Sequence, residues 1–150
     1  MAQETMNSKS ECAFITGGNG NIGRLVADQL LARGQQVVKF DMPGTEPEQT
    51  HENETIVSGD IRDSDLLKKI VSEHQPDSIY HLASLLSGSS EVNLSDTWAI
   101  NATASFNLMN LALESGIGTC ASSLGILAGC SGIESGARCA TTRHPQSPLR

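Results

Sequence analysis

The residues Thr16-Gly17-Gly18-Asn19-Gly20-Asn21-Ile22-Gly23 carry the strongest chemical signal in the chain. They follow an apolar run, Cys12-Ala13-Phe14-Ile15, and open a segment with helical periodicity. In that setting each glycine has its own task. Gly17 permits a tight turn, Gly20 lets the backbone approach a pyrophosphate, and Gly23 lets the helix pack closely on the strand. The N–H groups of the first helical turn, around Asn21 and Ile22, then point at the anion. A second signal is Asp41, which ends the next apolar run 18 residues after Gly23. A carboxylate there accepts both hydroxyls of an adenosine ribose and repels a 2′-phosphate. No arginine follows it, the next residues being Met42-Pro43-Gly44. Together these features predict a nicotinamide dinucleotide site that prefers NAD to NADP. The plainer alternatives are a structural turn and an aspartate at a loop entry.

These residues need a scaffold, and the pattern supplies one. Strand 1 is expected over 12–16, followed by a helix to about Ala32 with Ile22, Leu25, Val26 and Leu30 turned inward and Gly34 as its stop. Strand 2 covers 37–41, and a loop with Pro43, Gly44 and Pro47 leads to a short strand 3 at 55–58. Asp63 or Ser64 caps a second helix that buries Leu66, Leu67, Ile70 and Val71. Strand 4 covers 77–82, a polar loop follows, and one long helix carries Trp98, Phe106, Met109 and Leu113 as core or dimer face before Gly116 ends it. Strands alternating with helices predict an α/β fold, a Rossmann-type doubly wound parallel sheet. The run Gly116-Ile117-Gly118-Thr119-Cys120 is short, which leaves a fifth strand open.

Composition narrows the partners. The net charge is −7, with 10 basic and 17 acidic residues. No basic patch is visible, which disfavours nucleic acid. No run of 18 apolar residues exists, so a membrane span is not expected. The first ten residues are polar and read as a flexible tail without a secretory signal, and a cytoplasmic location is expected. The four cysteines and four histidines have no metal-ligand spacing, so no metal is expected. The charge changes sign along the chain. Residues 1–117 hold seven basic and sixteen acidic groups, whereas 118–150 hold three basic and one acidic. The division drawn is a tail at 1–10, a dinucleotide-binding domain at 11–117, and a divergent, truncated or irregular segment at 118–150.

Over about residues 11–117 the sequence resembles the extended short-chain dehydrogenase/reductase family, of the NAD-dependent epimerase/dehydratase type. Gly17, Gly20 and Gly23 match its G-x-x-G-x-x-G spacing. Gly59-Asp60-Ile61-Arg62-Asp63 is similar to its strand 3 exit, which implies that Asp60 and Ile61 contact the adenine. Tyr80-His81-Leu82-Ala83-Ser84 is similar to its strand 4 end, which implies that Leu82, Ala83 and Ser84 pass beneath the cofactor. Asn101 stands at the family's helix asparagine. The stretch His81 to Glu91 is particularly similar to sugar-acid dehydrogenases of the D-erythronate type, with L-threonine 3-dehydrogenases next. The resemblance implies hydride transfer at a hydroxyl-bearing carbon of a small molecule. It also implies a homodimer through the 94–115 helix.

The family's chemistry uses a serine or threonine, a tyrosine and a lysine. Ala121-Ser122-Ser123-Leu124 resembles the serine motif, which places Ser123 in the catalytic slot. Leu149 stands where the tyrosine would be. The only tyrosine is Tyr80, and no lysine lies beyond Lys69. His81 reads as a buried strand histidine rather than a base. The chain is therefore expected to bind NAD without turnover. The alternatives are a non-catalytic dinucleotide-binding module and a truncated product without independent function.

Overall fold

The computed structural model describes residues 10–45, 51–85 and 93–122. The predicted tail up to residue 9, Ser123 and nearly all of the 118–150 segment lie outside the described residues. Among the described residues five strands form: β1 Cys12–Thr16, β2 Gln36–Asp41, β3 Glu54–Ser58, β4 Ser78–His81 and β5 Thr119–Ser122. The helices are α1 Asn21–Leu31, α2 Ser64–His74, α3 Leu94–Trp98 and α4 Ser105–Glu114, with a π-helical stretch at Ala99–Ala104 joining the last two. All pairings are parallel, in the order β3-β2-β1-β4-β5. β1 is central and buried at all five positions, as a strand covered on both faces must be.

The fifth strand forms despite its weak pattern. It pairs with β4 from Ser78↔Thr119 to His81↔Ser122, just past residue 117. Its side chains contribute one buried anchor, Cys120. Backbone pairing, which needs no apolar alternation, supplies the rest.

Two cores lie on the two faces of the sheet. On one, Phe14, Val38, Phe40 and Ile79 meet Leu67, Ile70 and Val71 of α2 and Leu108 and Ala112 of α4. Phe14 and Phe40 pack edge-to-face with centroids 6.1 Å apart, a favoured aromatic geometry. On the other, Ala13, Ile15 and Val37 meet Ala27 and Leu30 of α1. At the rim of this second face Lys39 Nζ and Glu54 Oε1 form an ion pair at 2.7 Å, with both side chains at least 93% buried.

Two expectations need correction. In α1, Ile22 and Leu25 point outward, at 61% and 65% exposure, while Gly23, Ala27 and Leu30 face the sheet. The close approach at Gly23 fixes the rotation of the helix, and the inward face is the i, i+4, i+7 series that starts there. The predicted long helix over 94–114 is also interrupted by its π-helical stretch. Its inward side is made by Ala104, Ser105, Leu108 and Ala112, while Trp98, Phe106 and Leu113 face outward. Among the described residues, no helix is long and apolar enough to cross a membrane.

Candidate dinucleotide site

A groove of about 720 Å³ opens beside the carboxyl ends of β1 to β4. It lies where the chain crosses from β2 and β3 on one side of β1 to β4 on the other, the usual ligand position in open parallel sheets. The glycine turn forms one wall, contributing Gly17, Gly20, Asn21, Ile22 and Gly23. Why glycine is needed there is visible in the packing. A Cβ on Gly17, whose φ is +69°, would lie 2.7 Å from the Ala83 nitrogen. A Cβ on Gly23 would overlap the Gly17 carbonyl oxygen.

The start of α1 differs from those of α2 and α3. Its N-cap is Gly20, which has no side chain to cap the first turn, and no acidic residue lies in that turn. By contrast, Asp63 caps α2 by accepting from the Leu66 N–H at 3.0 Å. Asn93 caps α3 by accepting from the Asp96 N–H at 3.1 Å. The first-turn N–H groups of α1, left without a side-chain acceptor at a groove, suit a bound anion.

Asp41 lines the groove at the tip of β2, across the central β1 from the 82–85 segment that follows β4. One carboxylate oxygen accepts from the Asn19 N–H at 2.9 Å and the other from the Met42 N–H at 2.8 Å. These bonds hold the carboxylate in place and leave each oxygen with further accepting capacity. Among the described residues, Asn19 Oδ1 is the one buried side-chain polar atom without a partner.

After β3, Asp60 and Ile61 line the groove together with Arg62. Asp60 accepts from the Arg62 backbone N–H at 2.9 Å and from its guanidinium. Arg62 also donates to Asp96 Oδ1 at 3.0 Å. The hydrogen bond from the Arg62 side chain holds the Asp60 carboxyl below its usual pKa, against a smaller opposing effect of burial. The arginine is thus bound between two carboxylates.

After β4, Leu82, Ala83 and Ser84 line the groove, followed by Leu85. Asn101 does not line it. Its side chain instead accepts from the Leu85 N–H at 2.8 Å and donates to the Leu85 carbonyl at 3.1 Å. Asn101 therefore shapes the groove by holding the backbone of this wall. Phe40, Met42, Gly59, Arg62, Leu85 and Ile100 also line the groove and were not predicted. Several of them are sequence neighbours of predicted positions, and that adjacency was the available signal.

His81 is 1% exposed. Its Nδ1 lies 2.6 Å from Thr16 Oγ1 and its Nε2 lies 2.7 Å from Ser105 Oγ. Burial pushes its pKa down from 6.5 to about 4. The unfolded chain thus binds a proton that the folded chain refuses between those two values, so stability rises with pH across this window and is flat above it. Urea unfolding is expected to give a free energy about 2 kcal/mol lower at pH 5 than at pH 7. Equal stabilities at the two pH values would contradict a neutral buried imidazole.

Known proteins share this fold. The chain is 30% identical to UDP-glucose 4-epimerase of Rhizobium meliloti (strain 1021) over 105 residues, 69% of this chain and 32% of that protein. It is 32% identical to the mitochondrial L-threonine 3-dehydrogenase of Sus scrofa over 105 residues, 69% of this chain and 28% of that protein. Its fold superposes on the crystal structure of the Bordetella bronchiseptica enzyme WbmH in complex with NAD+, with a TM-score of 0.67 and 29% identity over 75% of this chain and 38% of that one. The chain spans about a third of the length of these relatives. The model of the NAD dependent epimerase/dehydratase family matches residues 13–147, from β1 to well past residue 117. With the glycine turn, the strand order and this match in agreement, the chain belongs to the NAD-dependent epimerase/dehydratase family.

Proposed function

We propose that this chain binds NAD in the groove beside the glycine turn and does so without turnover. The observation that carries the reading is the uncapped α1 N-terminus facing a groove that also holds the fixed Asp41 carboxylate. In this assignment the pyrophosphate meets the N–H groups at Asn21 and Ile22, and Asp41 accepts the adenosine ribose hydroxyls. Asp60 and Ile61 border the adenine, and the 82–84 backbone lies under the rest of the cofactor. Bound NAD supplies a hydride acceptor. The proton of a substrate hydroxyl must leave in step, and that requires a base within hydrogen-bond reach. Ser123 is assigned the serine slot, but the tyrosine and lysine that complete the family set are missing from the 150 residues. In this reading residues 11–117 are the cofactor-binding part and 118–150 a divergent segment. The substrate class of the lineage is a sugar, sugar acid or nucleotide sugar.

Calorimetry with NAD and NADP on the folded chain tests this. NAD is expected to bind more tightly than NADP, and Asp41→Ala is expected to weaken NAD by about 1–3 kcal/mol through loss of a charge-assisted hydrogen bond. No NADH is expected from a panel of sugar acids, aldoses and threonine. Equal affinity for the two cofactors, or saturable NADH production, would overturn the assignment.

The same reading extends to self-association. Leu94, Trp98, Phe106 and Leu113 are 76%, 72%, 64% and 64% exposed. They recur mostly at intervals of four or eight, and the wider i→i+5 winding at 99–104 reduces the angular drift of residues so spaced. Exposed large apolar side chains aligned along one helix mark an interface or an aggregation site. A homodimer through the 94–115 helix is expected in sedimentation, and Phe106→Glu is expected to shift it to monomer. A monomeric wild type at tens of micromolar would rule the interface out.

A further inference from the structure

We propose that His81 is a positioning residue for the cofactor groove: as the Nε2–H tautomer, it ties Ala83 in the groove wall to the π-helical stretch that carries Asn101. The inference rests on the groove being the NAD site.

The proton positions follow from the two ends of a hydrogen-bonded chain. At one end, the Ala83 N–H faces Thr16 Oγ1 at 3.4 Å, and a backbone N–H only donates. At the other, the Ser105 hydroxyl donates to the Asn101 carbonyl at 2.9 Å, and a carbonyl only accepts. Ser105 has one hydrogen and has spent it, so its oxygen receives the His81 Nε2–H. Among the described residues no carboxylate bonds the ring, so a buried imidazolium lacks a counter-charge there and the ring is neutral. Nδ1 is then an acceptor and takes the Thr16 hydroxyl proton. Thr16 keeps lone pairs for the Ala83 N–H. Every donor runs the same way, from Ala83 through Thr16, His81 and Ser105 to Asn101.

The chain spans three elements that the groove depends on. Thr16 ends β1 beside the glycine turn, His81 ends β4, and Ser105 opens α4. Its far end, Asn101, grips both backbone polar atoms of Leu85. The wall from 83 to 85 is therefore held at both ends, and His81 is the link between the two. A hydroxyl bonded back to the carbonyl four residues earlier also perturbs helix winding, and here it falls where the π-helical stretch ends.

Ring 15N shifts of His81, amide exchange at Ala83 and Leu85, and NAD calorimetry on the whole chain test the proposal. The wild type is expected to show the Nε2–H pattern. Ser105→Ala is expected to raise the Nδ1–H tautomer and Thr16→Val to keep the Nε2–H form; each is expected to speed exchange at both amides and weaken NAD about fivefold, the worth of one hydrogen bond. Thr16→Ser retains the hydroxyl and is expected to keep the Nε2–H pattern with wild-type exchange and NAD affinity. A wild-type Nδ1–H tautomer overturns the proposal. So does a folded Ser105→Ala with unchanged exchange and NAD affinity. Should either variant fail to fold, the wild-type tautomer and Thr16→Ser decide. If the wild type binds no NAD, the functional assignment falls, while tautomer and exchange still judge the network separately.

Discussion

Gly23→Ala is expected to abolish measurable NAD binding and to lower stability by about 1–3 kcal/mol, the usual cost of forcing extra volume into a packed site. The added methyl has nowhere to go. It would overlap the Gly17 carbonyl oxygen and lie 2.8 Å from Gly18 Cα, both backbone atoms. Backbone cannot swing aside as a flexible side chain does, so α1 must move away from β1. That shift displaces the first-turn N–H groups on which the pyrophosphate would rest. Gly34→Ala is the matching control. Its φ is +77°, so the change is strained, but nothing lies within 4 Å of the added carbon. It is expected to cost stability while leaving NAD affinity alone. Calorimetry and urea unfolding on both variants separate the two effects. NAD binding by Gly23→Ala within threefold of wild type would show that close helix packing is not what builds the site.

Lys39→Met is expected to cost about 3–5 kcal/mol, enough to unfold a large fraction of the protein. Methionine keeps much of the aliphatic stem, which packs against the glycine turn where a Gly18 Cβ would come within 2.7 Å of Lys39 Cβ. What it removes is the ammonium, leaving Glu54 buried without its charged partner. An unpaired buried carboxylate is far more costly than the pair is stabilising. The double variant Lys39→Met, Glu54→Leu removes both charges and is expected to recover most of the loss. Urea unfolding of the two variants is the check. A loss below 1 kcal/mol in the single variant would mean that Glu54 reaches water.

The parts of the fold set by local chemistry were legible in the residues. Apolar runs ending in glycine marked β1, and Asp63 marked the start of α2. The misread parts share a physical cause. In α1 the bulky residues Ile22 and Leu25 suggested the inward face, yet the tight contact with the turn gives that face to glycine and alanine. Periodicity weighs apolar bulk, and a contact made by a missing side chain carries no such weight. The π-helical stretch was illegible in the apolar periodicity, and the grip of its Asn101 on Leu85, 16 positions away, is a tertiary contact. β5 was only half legible, because its order comes from the neighbouring strand's backbone. In the groove, the residue types at the turn and at Asp41 were readable. The capture of Arg62 between Asp60 and Asp96 was not, since Asp96 lies 34 positions away in sequence.

The position of β1 at the centre of the sheet has a consequence for biosynthesis. Its first neighbour begins 24 residues later, at Gln36, but its second begins only with Ser78, the partner of Ala13. At translation rates of roughly 5–20 residues per second, the gap of 65 residues corresponds to roughly 3–13 s. Through that interval the side of the nascent Ala13-Phe14-Ile15 strand that β4 will pair is open, and until β2 emerges both sides are. An apolar strand edge left unpaired on the ribosome is a substrate for chaperones and for neighbouring nascent chains. Cover over β1 until β4 emerges is therefore expected to raise the folded yield.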